Sequence, residues 1–181
     1  MSSLTKGTYM YWKLSARLIL AYSLLSLTLL TASHEISIDG RLDDASWKQA
    51  VEYTKYYESL PFTLDEPKDF QKVLILEDEK GIYLGFVNEQ AKDTVRANKH
   101  ERDDEMANTD KAGLAIDFDG DGLAAYSFTV SASGSISDGI YRNENEVNYD
   151  WDADWKSAVF IDENFWYVEM FIPWTIAPMK S

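Results

Sequence analysis

The chain is 181 residues long, with a formal net charge of −14, 45% hydrophobic residues and no cysteine. That length allows one domain with a sizeable core, and the composition is too apolar for wholesale disorder. So acidic a chain repels nucleic acid and anionic lipid, and without cysteine it has no disulfides, thiolate catalysis or Cys-based zinc sites.

Residues 1–33 carry Lys6, Lys13 and Arg17 and no acidic residue, which leaves −17 on the rest of the chain. The basic opening precedes an uncharged apolar run over residues 18–32, closed by the small residues Ala32 and Ser33 before His34. This predicts an N-terminal signal helix, removed on export, against the alternative of an uncleaved membrane anchor. The apolar run is shorter than the roughly 20 residues of a spanning helix, so no transmembrane segment is expected after cleavage. Residues 34–181 are then one domain, placed in the periplasm, secreted or associated with an outer membrane.

That domain opens with EISIDG (residues 35–40), a short alternating strand ending in a turn. Asp43 or Asp44 is expected to cap a short helical turn holding Ala45, Trp47 and Ala50, with Trp47 a core plug closing one end of the sheet. Residues 51–62 are aromatic and loosely alternating, which predicts a strand, and residues 63–68, with Pro67, a loop. Residues 73–76 are apolar on both faces. A turn at residues 77–81 joins them to IYLGFV (residues 82–87), and the two runs predict a hairpin. Residues 88–110 have no apolar period and predict a solvated loop, with a binding loop in which Asp103 or Asp104 holds Arg102 as the alternative.

The stretch over residues 112–155 organises the chain. Leu114, Ile116 and Phe118 alternate with Ala115, Asp117 and Asp119; after the turn Tyr126, Phe128 and Val130 alternate with Ser127, Thr129 and Ser131. Two strands joined by the double Asp-Gly turn at residues 119–122 predict a hairpin at the centre of the sheet. Beyond it the chain is rich in Asp, Asn, Tyr and Trp, a composition suited to binding. A last hairpin is predicted from residues 155–161 and 165–174, with Trp166, Val168, Met170 and Ile172 on one face. Strands, short turns and almost no helix predict an all-β, antiparallel β-sandwich of immunoglobulin-like or jelly-roll-like type.

Two constellations carry candidate chemistry. Asp117, Asp119 and Asp121 have the D-x-D-x-D-G spacing of a calcium loop. Phe128 stands where an EF-hand needs its bidentate Glu, so only a different Ca²⁺ geometry fits, against the plain alternative of an acidic hairpin turn. In YDWDADW (residues 149–155), Trp151 and Trp155 offer indoles to the C–H face of a sugar. Arg102, Asp103, Asn108, Tyr141 and Arg142 are hydroxyl partners by type. Alternation puts the two tryptophans on one side, so core packing is the competing role. Carboxylate pairs of glycosidase type arise by chance in so acidic a chain, and no nucleophile–His–Asp set exists. His100 and Met106, six apart in a loop, are more simply surface residues than haem ligands.

IDGRLDDASW (residues 38–47), GIYLGF (81–86), ERDDE (101–105), IDFDGDGLAAYSF (116–128), DGIYRNENEVNYDWDADW (138–155) and FIPW (171–174) resemble, in order and spacing, the family 9 carbohydrate-binding modules. The variant resembled is the N-terminal domain of large exported bacterial proteins with a C-terminal outer-membrane barrel-like domain. The resemblance implies a β-sandwich, calcium stabilisation, a glycan partner (a mono- or oligosaccharide end) and no catalysis by the module itself. Within an enzyme, hydrolysis of O-glycosyl bonds would lie elsewhere; the other function open to it is a structural or interaction domain for an outer-membrane partner. Such domains continue past the IPW-type motif, so a chain truncated at its C-terminus is expected.

Overall fold

The computed structural model describes residues 35–59, 63–104, 106–142 and 146–177; the predicted signal helix lies outside them. Among the described residues nine strands follow in chain order: β1 (Val51–Tyr53), β2 (Gln71–Glu77), β3 (Gly81–Glu89), β4 (Lys111–Ile116), β5 (Ala124–Ser131), β6 (Ile136–Arg142), β7 (Glu146–Asn148), β8 (Lys156–Ile161) and β9 (Phe165–Pro173). The helical pieces among the described residues are short 3-10 turns at Ala45–Gln49, Lys92–Thr94 and Trp174–Ile176. No helix there is long and apolar enough to cross a membrane.

The strands form two antiparallel sheets, ordered β1-β2-β3-β9-β8 and β4-β5-β6-β7. Each predicted hairpin forms: Val73 pairs with Phe86, Leu114 with Phe128, Ile116 with Tyr126, and Val159 with Val168. Trp166, Val168, Met170 and Ile172 of β9 and Leu84 and Phe86 of β3 pack against Phe128 and Val130 of β5. That apolar layer between two sheets makes the molecule the predicted β-sandwich.

The five-stranded sheet is covered on its other face as well. Trp47, Leu74, Leu76 and Tyr83 form a second cluster there, with Ile36, Ile38, Leu42 and Phe171 packed on it. Within residues 73–76, Val73 faces the inter-sheet core and Leu74 and Leu76 this second cluster, while Ile75 is left exposed. Trp47 therefore lies across a sheet face rather than closing an end of the sheet. Glu169 of β9, without exposed surface, holds this layer down. Its Oε2 accepts the N–H groups of Asp39 and Gly40, both at 2.8 Å, and its Oε1 accepts the indole N–H of Trp47 at 2.9 Å. Gly40 has φ +87°, and a Cβ there would lie 2.7 Å from the Val159 carbonyl carbon, so only glycine fits beside the carboxylate.

Several local expectations are corrected, beginning with the strand expected over residues 35–40, which does not form. Asp44 sits before the 3-10 turn but makes no side-chain cap; its Oδ2 accepts the Ser37 N–H at 2.9 Å. The strand expected over residues 51–62 ends at Tyr53. The hairpin over residues 112–130 is not central, because β4 is an edge strand. Strands β6 and β7 form where the sequence pointed only to a binding surface. The inward face of β6 reads Ile136, Asp138, Ile140, and the carboxylate in the middle hides the apolar alternation.

Candidate functional site

Two segments cross between the sheets, residues 90–110 from β3 to β4 and residues 149–155 from β7 to β8. The first lines a cleft of about 590 Å³ between edge strand β4 and the ends of β2, β3 and β9, within the usual range for ligand pockets. Asp110 is its polar centre. The Asp110 carboxylate accepts the Arg96 backbone N–H at 2.9 Å, Arg96 Nε at 2.9 Å and a terminal guanidinium nitrogen as well. It also accepts Gln90 Nε2 at 2.9 Å. Arg96 Nη1 reaches Asn108 Oδ1 at 3.2 Å, and Thr109 Oγ1 donates to the Arg96 carbonyl at 2.7 Å. The two legs of the crossing segment are thereby fastened together. Burial acts to raise the Asp110 pKa, but the hydrogen bonds from Arg96 and Gln90 outweigh it and hold the carboxyl below its ordinary range. It is ionised at neutral pH.

One wall of the cleft is Tyr56, half-buried and edge-on to Tyr53 with centroids 5.6 Å apart. Phe86 and Trp166 line it toward the core. Trp166 is 3% exposed, and its indole N–H has no hydrogen-bond partner among the described residues. A buried donor left unmet costs on the order of 1–3 kcal/mol. Asn88 Nδ2 donates to the Trp166 carbonyl at 3.3 Å, which fixes an amide side chain beside the same rings. The cleft thus combines an aromatic wall, fixed amides and a prearranged guanidinium–carboxylate pair. That combination suits a small ligand with both an apolar face and hydroxyls.

A second polar assembly ties the two crossing segments together. Asp138, buried without exposed surface, accepts Arg102 Nε at 3.0 Å and a terminal guanidinium nitrogen, and its Oδ2 accepts the Ala153 N–H at 2.7 Å. Arg102 also reaches Asp152 Oδ1 at 2.9 Å and the Ala153 carbonyl at 3.2 Å. Asp103, at φ +61°, takes the Asp138 N–H on its Oδ1 at 3.0 Å and lies 3.6 Å from Arg102 Nε. Burial pushes the Asp138 carboxyl above its ordinary pKa, opposed by the Ala153 N–H and by Arg102. Asp103, Asp138 and Asp152 bring carboxylate oxygens within 4.8 Å of one another, and the Arg102 guanidinium binds all three. This assembly is a stitch between crossings.

The predicted site residues divide among several places. Arg102 and Asp103 come together in the stitch. Trp155, expected as a sugar-stacking ring, is 7% exposed and packs edge-on to Phe128 at 5.5 Å. Trp151 is half-buried against Tyr126 and Phe128. Asn108 joins the cleft network through Arg96. Tyr141 lines a groove beside the turn that follows β4, and Arg142 is exposed at the end of β6. In that turn both oxygens of Asp117 accept backbone N–H groups, from Asp119, Gly120 and Gly122 at 2.7–3.1 Å, and Asp121 Oδ1 accepts the Leu123 N–H at 3.0 Å. Asp117, Asp119 and Asp121 do not form a converged trio of the kind found around Arg102.

The cleft residues Tyr56, Asn88, Gln90, Arg96 and Asp110 were not singled out in the sequence, and Trp166 was singled out only as a core-facing residue of the last strand. The available signals were an aromatic run, YTKYY, too long for the strand it follows, and amides at the end of an apolar strand.

No protein-family model matches the chain, and no curated protein matches it. A solved structure from Bacteroides uniformis ATCC 8492, described as a "putative carbohydrate-binding protein", superposes with a TM-score of 0.53 at 14% identity. The match covers 78% of this chain and 69% of that one. At that identity the likeness is one of fold.

Proposed function

We propose that this domain is a glycan-binding module whose sugar sits in the cleft between β4 and the ends of β2, β3 and β9. The observation that carries the reading is the hydrogen-bonded Gln90–Asp110–Arg96 lattice lining one cleft together with the rings of Tyr56, Phe86 and Trp166. A pyranose offers a C–H face to an aromatic ring and hydroxyls to paired donors and acceptors. The lattice is already hydrogen-bonded in the free protein, so little side-chain entropy is lost on binding. Charge supports the same reading. The cleft and the cavity beside it are lined by four acidic and four basic residues, on a chain of net charge −14. Balanced charge within an acidic surface favours a neutral, polyhydroxylated ligand over an anion. The fold shared with the B. uniformis protein described as "putative carbohydrate-binding" is consistent with it.

The test is isothermal titration of residues 35–181 with neutral oligosaccharides of glucose, xylose and mannose. At least one series is expected to bind, and Arg96→Ala to weaken it roughly tenfold or more, as loss of a charged hydrogen-bond donor would. No heat with any series overturns the reading.

A further inference from the structure

The cleft does not end at Tyr56. On the far side of that ring lies a second cavity of about 620 Å³, and the two share Tyr56, Asp69, Gln71 and Glu89 as common walls. The second cavity is framed by residues 54–57 and 66–71, and its character differs from that of the first. Tyr57 and Phe70 line it while 61% and 45% exposed. Lys55 and Lys68 lie in its wall, and neither forms a hydrogen bond or ion pair among the described residues. Large rings left this open around one cavity mark a binding surface more often than a packing accident. Glu89 fixes the border between the cavities, because its Oε2 accepts the Phe70 N–H at 3.0 Å while the Phe70 carbonyl accepts the Glu89 N–H at 2.8 Å. The second ring is therefore held at a set position relative to the first cavity.

We infer that the two cavities are consecutive subsites for one oligosaccharide, with Tyr57 and Phe70 stacking the sugar units that extend beyond the one held by Arg96 and Asp110. This rests on the glycan reading of the first cavity and adds a direction and a minimum length to it. One unit occupies the Arg96 side, the chain passes over Tyr56, and the next units reach the Tyr57 side, where lysine ammonium groups meet their hydroxyls. Stacking of this kind tolerates different sugars, because every pyranose has an apolar face; choice among sugars falls to the fixed lattice of the first cavity.

The test is titration calorimetry with glucose, xylose and mannose oligosaccharides of one to four units, on the native sequence and on Tyr57→Ala and Phe70→Ser. In the series that binds, affinity is expected to rise at least tenfold from one unit to three. Each substitution is expected to abolish that rise while leaving single-unit affinity unchanged. Affinity independent of length, with binding intact, overturns the second subsite and leaves the glycan reading standing. Loss of single-unit affinity in Tyr57→Ala also overturns it. Absence of binding at every length overturns both.

Discussion

The indole N–H of Trp47 donates to Oε1 of Glu169 at 2.9 Å, joining residues 122 positions apart across a buried face of the five-stranded sheet. The other oxygen of that carboxylate holds the Asp39 and Gly40 N–H groups. A single charged side chain therefore organises the turn and 3-10 segment that lead into β1. Trp47→Ala removes a buried ring and is expected to cost about 3–5 kcal/mol. Glu169→Ala leaves three donors unmet and is expected to cost at least about 3 kcal/mol. Urea denaturation measures both, and an unchanged midpoint in either variant refutes the burial argument.

The same carboxylate sets a pH dependence of definite sign. Burial raises the folded-state pKa of Glu169 above its ordinary value, against the pull of the Asp39, Gly40 and Trp47 N–H groups. A raised folded pKa means that the native state holds the proton more tightly than the unfolded chain does. The resulting stability is present below the ordinary pKa and is lost as pH rises through the folded value. Relative to Glu169→Gln, which does not titrate, the native sequence is expected to gain stability as pH falls from 7 toward about 4. Asp110→Asn is expected to behave oppositely. The lowered pKa of Asp110 makes its contribution full above the ordinary value and lost as pH falls through the folded one. Urea midpoints at pH 7 and about 4 check the first sign, and midpoints taken as pH falls below about 4 check the second.

Arg102 and Asp138 make a separate prediction. Removing Arg102 leaves a carboxylate buried without its counter-ion, and Arg102→Ala is expected to cost about 3–5 kcal/mol. Asp138→Asn in the same chain is expected to recover part of that loss, since a neutral amide needs no counter-charge. Thermal unfolding of the two single variants and the double variant checks this. Additive losses contradict it.

Much of the fold is legible in the sequence, because period-two alternation reports which residues face a core. The β2–β3, β4–β5 and β8–β9 hairpins follow from it directly. It fails at β6, where Asp138 occupies an inward position opposite Phe128 and is made tolerable by Arg102 from another segment. No local pattern can announce a partner 36 residues away. The cleft is hidden for a related reason. Tyr56, Asn88, Arg96 and Trp166 belong to four separate stretches, and only the pairing of β3 with β9 and the fastening of the crossing segment by Asp110 bring them together. The tryptophan-rich segment over residues 149–155 drew attention by composition. Trp155 proved to be core and Trp151 half-buried, because Phe128 needs rings over it.

The most direct measurement is the indole N–H region of a ¹⁵N–¹H spectrum during titration with a neutral trisaccharide that binds, with Trp166 assigned through Trp166→Phe. The Trp166 signal is expected to move with saturation while that of Trp155 stays in place. Movement of the Trp151 signal with Trp166 unmoved would put the sugar elsewhere and contradict the account.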